Sequence, residues 1–183
     1  MYKVFRRKSL YVDMRIKSIS DVVTNSSSEV FVKKLTREQL RTLKLERKNN
    51  IIAYKTKYPE DDPEYWEDLD SAGVELTEVT KEYILESQEW EIVIQVLRED
   101  KNPKKRFSPF FNVDESDIDY EKLIEENDAL LQEVLYGAYK VEVSDHIQDT
   151  YKKVLTMMGF PEGYVSFDKP EFPDDLLYYE CLH

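Results

Sequence analysis

Apolar and polar positions follow two rhythms along this chain, one of period two and one near 3.6, and these divide it into elements. Residues 2–12 (Tyr-Lys-Val-Phe-Arg-Arg-Lys-Ser-Leu-Tyr-Val) lack Gly and Pro and are rich in β-formers, which predicts an extended arm or a strand. From Asp21 to Val32, the runs Val22-Val23 and Val30-Phe31-Val32 bracket a polar centre. A strand-turn-strand follows, its turn held by the short side chains of Thr24, Asn25 and Ser26–Ser28. That reading puts Val22, Val30 and Phe31 on the core and turns Lys33 and Lys34 outward. Thr36 and Gln39 have capping-box spacing ahead of Leu40 and Leu43, which predicts a helix over 37–47. Residues 51–54 (Ile-Ile-Ala-Tyr) read as a short strand.

Further on, Pro59 and Pro63 predict an exposed loop across residues 60–70. Residues 77–98 fit both rhythms. Val79, Tyr83, Trp90, Ile94 and Leu97 make a helical stripe, whereas Trp90, Ile92, Ile94 and Val96 alternate as in a strand; a helix over 78–98 is favoured. Residues 101–116 read as a loop. Asp117 caps a helix to about residue 136, with Tyr120, Leu123, Ile124, Leu130, Leu131 and Val134 on one face, and Gly137 ends it. Tyr139–Val143 alternates as a strand. Asp145 then caps a helix that Gly159 terminates, and Tyr164–Phe167 reads as a short strand. The apolar tail Leu176–Leu182 must pack on the body or on a neighbour. The irregular succession predicts an α+β fold: a small mixed or antiparallel sheet with three to four helices, an extended N-terminal arm and a C-terminal tail. Residues 1–13 form the basic arm, 14–168 a single domain and 169–183 the tail; Met14 itself resembles a translation start.

Composition narrows the function classes. Among 183 residues, 41% are hydrophobic and 13% aromatic, which is too rich for a wholly disordered chain. No run of 18 apolar residues occurs, so no membrane partner is expected. The basic N-terminus lacks the apolar stretch of a secretory signal. A single cysteine, Cys181, excludes a disulfide framework within one chain.

Charge changes the picture most. The net charge is −12, yet residues 1–48 hold 13 Lys and Arg against 5 Asp and Glu, a net of +8. The remainder holds 13 basic and 33 acidic groups, a net of −20. Such asymmetry predicts a basic segment that meets an acidic surface, or two parts that neutralise each other within one fold. Seven carboxylates crowd residues 60–70, with Tyr65 and Trp66 among them. Those aromatics either anchor a partner or fold back over the core.

Candidate chemistry is sparse. The histidines are His146 and His183, and Cys181-x-His183 is a weak zinc pattern, so no metal site is expected. G-x-S-x-G is absent, and a Ser/His/Asp triad must use one of those two histidines. Four glycines supply no phosphate-cradling loop. Carboxylates are too abundant to single out an acid/base pair. No catalytic residue and no cofactor is expected, and the chain reads as a non-enzyme. Direct nucleic-acid binding is disfavoured, because the acidic remainder repels phosphates.

The segment Arg15–Val32, centred on Thr24-Asn25-Ser26-Ser27-Ser28-Glu29, resembles a motif of small uncharacterised proteins of crAss-like and related tailed phages and of bacterial hypothetical proteins. It covers 18 of 183 residues and sits behind a 13-residue extension rather than at the start. The resemblance implies a phage source and a virion component of neck or tail; it brings no catalytic residues. Combined with the charge split, it predicts a ring or connector built from copies of this chain and other virion proteins, located in the virion after assembly in the host cytoplasm. The expected partner-binding residues are Tyr2, Phe5, Arg6, Arg7, Lys8 and Tyr11 of the arm, Tyr65 and Trp66, and Leu176, Leu177, Tyr178 and Tyr179. Arg6, Arg7 and Lys8 are expected to meet carboxylates of residues 60–70 or 114–128 on a neighbour. The alternative is an acidic decoy whose 117–136 helix imitates a phosphate track and occupies a host protein's nucleic-acid site.

Overall fold

The computed structural model describes residues 28–97, 119–161 and 172–182. These form an α+β fold, a four-stranded antiparallel sheet with helices on both faces. Its strands are β1 (Ser28–Lys34), β2 (Val74–Glu78), β3 (Ala138–Ser144) and β4 (Tyr178–Leu182), in the order β2-β3-β1-β4. Phe31 lies opposite Val141 on one side and Tyr179 on the other, and Val141 lies opposite Leu76.

Alternation along β1 decides which core each side chain enters. Val30 and Val32 join Ala138 and Tyr178 on one face, with Ile84, Ile92, Leu123, Ile124 and Leu131 above them. Phe31 joins Val141, Val143, Val74 and Tyr179 on the other, against Leu43, Val154, Met158 and Phe160. Two sequence expectations need correction here. Lys33 does not face out: the same period of two carries it to the Phe31 face, where its Nζ lies 3.1 Å from Asp175 and donates to the Met157 carbonyl at 3.4 Å. Ser28 belongs to the strand rather than to the expected turn, and Glu29 beside it is buried. The preceding half of the expected hairpin, with Val22 and Ser26–Ser27, lies outside the described residues.

Helix α1 (Arg37–Lys57) begins as expected, because Thr36 and Gln39 cap each other's backbone N–H groups at 3.0 and 3.1 Å. It does not stop at residue 47. Residues 51–54 are helical, so the expected strand there is wrong. The β-branched pair Ile51-Ile52 is carried by a helix already nucleated fourteen residues earlier, for which extension costs little. Tyr58 closes the helix, with its N–H bonded to the Tyr54 carbonyl (2.8 Å) and Pro59 beyond.

The acidic segment is not wholly loop either. Pro63 opens α2 (Pro63–Trp66) at a position where proline's missing N–H is harmless, and Asp68 caps α3 (Leu69–Ala72) through the Ser71 N–H. Gly73, at φ 76, then turns the chain into β2, a strand that the local pattern does not announce.

The favoured helix over 78–98 is two helices, α4 (Lys81–Ser87) and α5 (Trp90–Val96), separated where Gln88 takes φ 57. Likewise the expected 117–136 helix is α6 (Tyr120–Glu126), capped by Asp119 rather than Asp117, and α7 (Asp128–Leu135). The last is α8 (Gln148–Met157); Asp145 does not cap it, and Ile147 stands at its N-cap position. Four expected helices thus become eight among the described residues, through two breaks and two single turns. The expected loop at 101–116 and strand at 164–167 lie outside them.

The tail packs on the body of its own chain. The Leu177 N–H donates to the Val32 carbonyl at 2.8 Å, and Leu176, Tyr178 and Tyr179 are buried in the two cores.

Candidate interaction surface

Helix α1 is bound to the body along one stripe only. Leu43 is its one fully buried residue. Asn50 Nδ2 donates to the Ala72 carbonyl (3.0 Å) and to Thr150 Oγ1 (2.9 Å), and Thr150 donates to Glu46 Oε2 (3.1 Å). Lys153 of α8 reaches Glu46 Oε1 at 2.5 Å. Near the C-terminal end, Tyr54 donates to Asp61 Oδ2 at 2.8 Å and packs at a tilt against the Tyr58 ring. The Asp61 carboxylate holds the Tyr54 hydroxyl above its ordinary pKa.

The opposite stripe is bare except at Lys55. Arg41, Leu45, Lys48, Ile52 and Lys55 follow at spacings of four, three, four and three, which places them on one face. Leu45 is 55% exposed and Ile52 53%. Lys55 lies over the Trp66 ring, 4.7 Å from its centroid. Arg37, Arg41, Lys44 and Lys48 make no ion pair among the described residues. Altogether α1 carries seven basic side chains against Glu38 and Glu46.

Elsewhere most amines have a carboxylate partner, Lys152 of α8 being an exception among the described residues. Lys81 meets Asp128 at 2.8 Å, Lys140 meets Glu89 at 2.7 Å and Lys122 meets Glu126 at 3.9 Å. Across the sheet from α1, helices α6 and α7 expose Glu121, Glu125 and Glu133. Among them stand Leu130, 47% exposed, and Tyr136, 83% exposed. The molecule therefore bears a basic and an acidic face on opposite sides of one sheet, each with apolar side chains in water.

Three polar clusters invite a chemical reading. The buried Glu29 carboxylate accepts from Tyr179 (2.5 Å) and Tyr151 (2.8 Å). Burial, then the Glu29 charge, push the Tyr179 hydroxyl far above its ordinary pKa. A phenol held neutral this way is a poor proton donor to a substrate. Over the inner strand β3, Glu89 accepts from both Tyr83 and Lys140. Partial burial opposes ionisation of Glu89, but the hydrogen bonds from Lys140 and Tyr83 outweigh it, and its pKa falls. Burial raises Glu142 beside them. Finally, Ser144 Oγ donates to Asp70 Oδ1 (2.9 Å), and His146 Nδ1 stands 4.0 Å from that same oxygen. The imidazole is not interposed between hydroxyl and carboxylate, as base catalysis of serine attack requires. Ser144 instead accepts the backbone N–H of His146 at 3.2 Å, a turn contact.

Of the expected partner-binding residues, Tyr2, Phe5, Arg6, Arg7, Lys8 and Tyr11 lie outside the described residues. Tyr65 is exposed, whereas Trp66 is folded back beneath Lys55. Leu176, Tyr178 and Tyr179 are buried against this chain's own strands, and Leu177 packs on the Val30 face. The bare stripe of α1 is absent from that expectation, although its spacing is present in the sequence; ending the helix at residue 47 hides it. Among the described residues, no group of three or more His, Cys, Asp and Glu is arranged to hold a metal ion. Nor is any helix among them long and apolar enough to cross a membrane. Comparison of the chain with protein-family models, with curated proteins and with solved structures finds no match.

Proposed function

We propose that this chain is a non-enzymatic structural protein that assembles with copies of itself and with other proteins of a phage virion, as a ring or connector of neck or tail. The observation that carries this is the segregation of charge across the sheet, with α1 basic on one side and α6–α7 acidic on the other. Contact between unlike faces is heterologous, and it closes a ring when the rotation closes. Exposed ion pairs contribute little each, so the exposed Leu45, Ile52, Leu130 and Tyr136 supply much of the affinity. The virion setting follows from the resemblance at Thr24–Glu29, which agrees with an assembling chain.

The test is mass measurement of the purified chain over a range of concentrations, joined to protein identification in purified virions. Multiple copies per particle and a defined oligomer in solution are expected. A monomer at every concentration that is also missing from virions overturns the proposal. Capture of a host nucleic-acid-binding protein by such a monomer supports the decoy instead.

A further inference from the structure

The bare face of α1 has a partner defined by its chemistry. It must be acidic, because Arg37, Arg41, Lys44 and Lys48 stand unpaired among the described residues. It must also offer apolar groups, because Leu45 and Ile52 lie between them. Resting on the assembly reading above, we infer that this partner is the α6–α7 surface of a second copy.

Complementarity supports this pairing. Leu130 lies between Glu126 and Glu133 as Leu45 lies between Arg41 and Lys48, and Tyr136 adds an exposed ring. The two surfaces cannot meet within one molecule. Leu43 of α1 is rooted in the Phe31 core, whereas Leu123, Ile124, Leu131 and Leu135 of α6 and α7 are rooted in the Val30 core, and the sheet lies between. Each copy therefore offers one face to each of two neighbours, which is the geometry of a ring or a filament.

Other occupants fit less well. Residues 1–27 hold six basic and two acidic side chains, so like charge sets that segment against α1. Nucleic acid satisfies the lysines but leaves Leu45 and Ile52 unmatched.

Charge reversal on each face tests the pairing. Lys44→Glu with Lys48→Glu makes the α1 face acidic, and Glu125→Lys with Glu133→Lys makes the α7 side basic. All four side chains are exposed, and circular dichroism verifies that each variant is folded. Each double variant alone should associate at least about tenfold more weakly than the unaltered chain, because attraction becomes repulsion. Mixed in equal amounts, the two should assemble again, with both chains present one to one. Rising salt should weaken association of the unaltered chain, a readout that does not depend on any variant. If the unaltered chain assembles and both variants assemble equally well, this interface is wrong while the assembly reading stands. If the unaltered chain is a monomer throughout, the assembly reading itself fails. Binding of a short DNA duplex by that monomer, lost in the α1 variant, assigns the face to nucleic acid and overturns the inference.

Discussion

Glu29 and Tyr179 stand on neighbouring strands, with the Tyr179 hydroxyl donating to the buried Glu29 carboxylate at 2.5 Å. Tyr151 of α8 donates to the other oxygen at 2.8 Å, so the carboxylate clamps a central strand, an outer strand and a helix together. Removing one donor leaves a buried charged group partly unsatisfied. Tyr179→Phe should therefore cost about 1.5–3 kcal/mol, the worth of a hydrogen bond to a charged group. Tyr151→Phe should cost less, since Tyr151 is only half-buried and water can replace it. Urea denaturation of both variants measures the difference.

Alkaline stability should depend on the same tyrosine. Its folded pKa is raised above the unfolded value of 10.0, so its contribution is complete below pH 10 and is lost as pH rises. Above pH 10 the unfolded phenol ionises while the folded one does not. Stability then falls by about 1.4 kcal/mol per pH unit for this one group. Tyr179→Phe should remove that part of the slope, as denaturation midpoints between pH 9.5 and 11.5 will record.

Around Lys140 of the inner strand β3 the signs differ between two neighbouring carboxylates. Glu89 has a lowered pKa, so its pairing with Lys140 stabilises above the unfolded carboxylate value and is lost as pH falls through the folded one. Lys140→Met should cost about 1–3 kcal/mol at neutral pH by leaving Glu89 without its counter-charge, and the deficit should shrink in acid. Glu142 is raised by burial, so its ionisation opposes folding at neutral pH. Glu142→Gln should raise the Tm at pH 7, with no gain at pH 4. A thermal-melt series on the two variants tests both signs.

Two glycines with similar backbone angles should respond differently to alanine. Gly73 has φ 76, and a Cβ there meets Asn50 Nδ2 at 2.8 Å and Ile147 Cδ1 at 3.1 Å. Gly137 has φ 73 and nothing within 4 Å. Gly137→Ala should carry only the left-handed penalty, about 1–2 kcal/mol. Gly73→Ala should cost more, because the Asn50 bridge between α1 and α8 must give way.

Legibility in the sequence followed locality. The capping box at Thr36, the strand over Tyr139–Val143 and the stop at Gly159 are written in adjacent residues, and the structure has all three. Breaks at Gln88 and Asn127 were not legible, since no proline or glycine marks them and the apolar stripe runs through both. β2 is hidden because the helix expected over 78–98 takes its last residue. The role of Leu176–Leu182 depends on pairing with β1, which no local pattern reports. As for the candidate surface, the charge split was plain, but it pointed to the arm rather than to α1. Ile51-Ile52 looked like strand formers, and a helix ending before them has no second apolar position on its outer face.

The placement of β1 between β3 and β4 has a consequence for how the protein is made. Glu29 and Tyr179 are 150 positions apart, and a ribosome covers that distance in roughly 8–30 s at ordinary speeds. For most of that interval, until α6 is made from residue 120 and β3 from residue 138, Val30, Phe31 and Val32 have neither a neighbouring strand nor cover from those helices. The nascent chain thus displays a short apolar β-segment with unsatisfied edges, the kind of segment that chaperones hold and that seeds aggregation. Expression yield should accordingly be limited by chaperone supply and rise at low temperature, even though the finished sheet buries Glu29 to Lys33 on both faces.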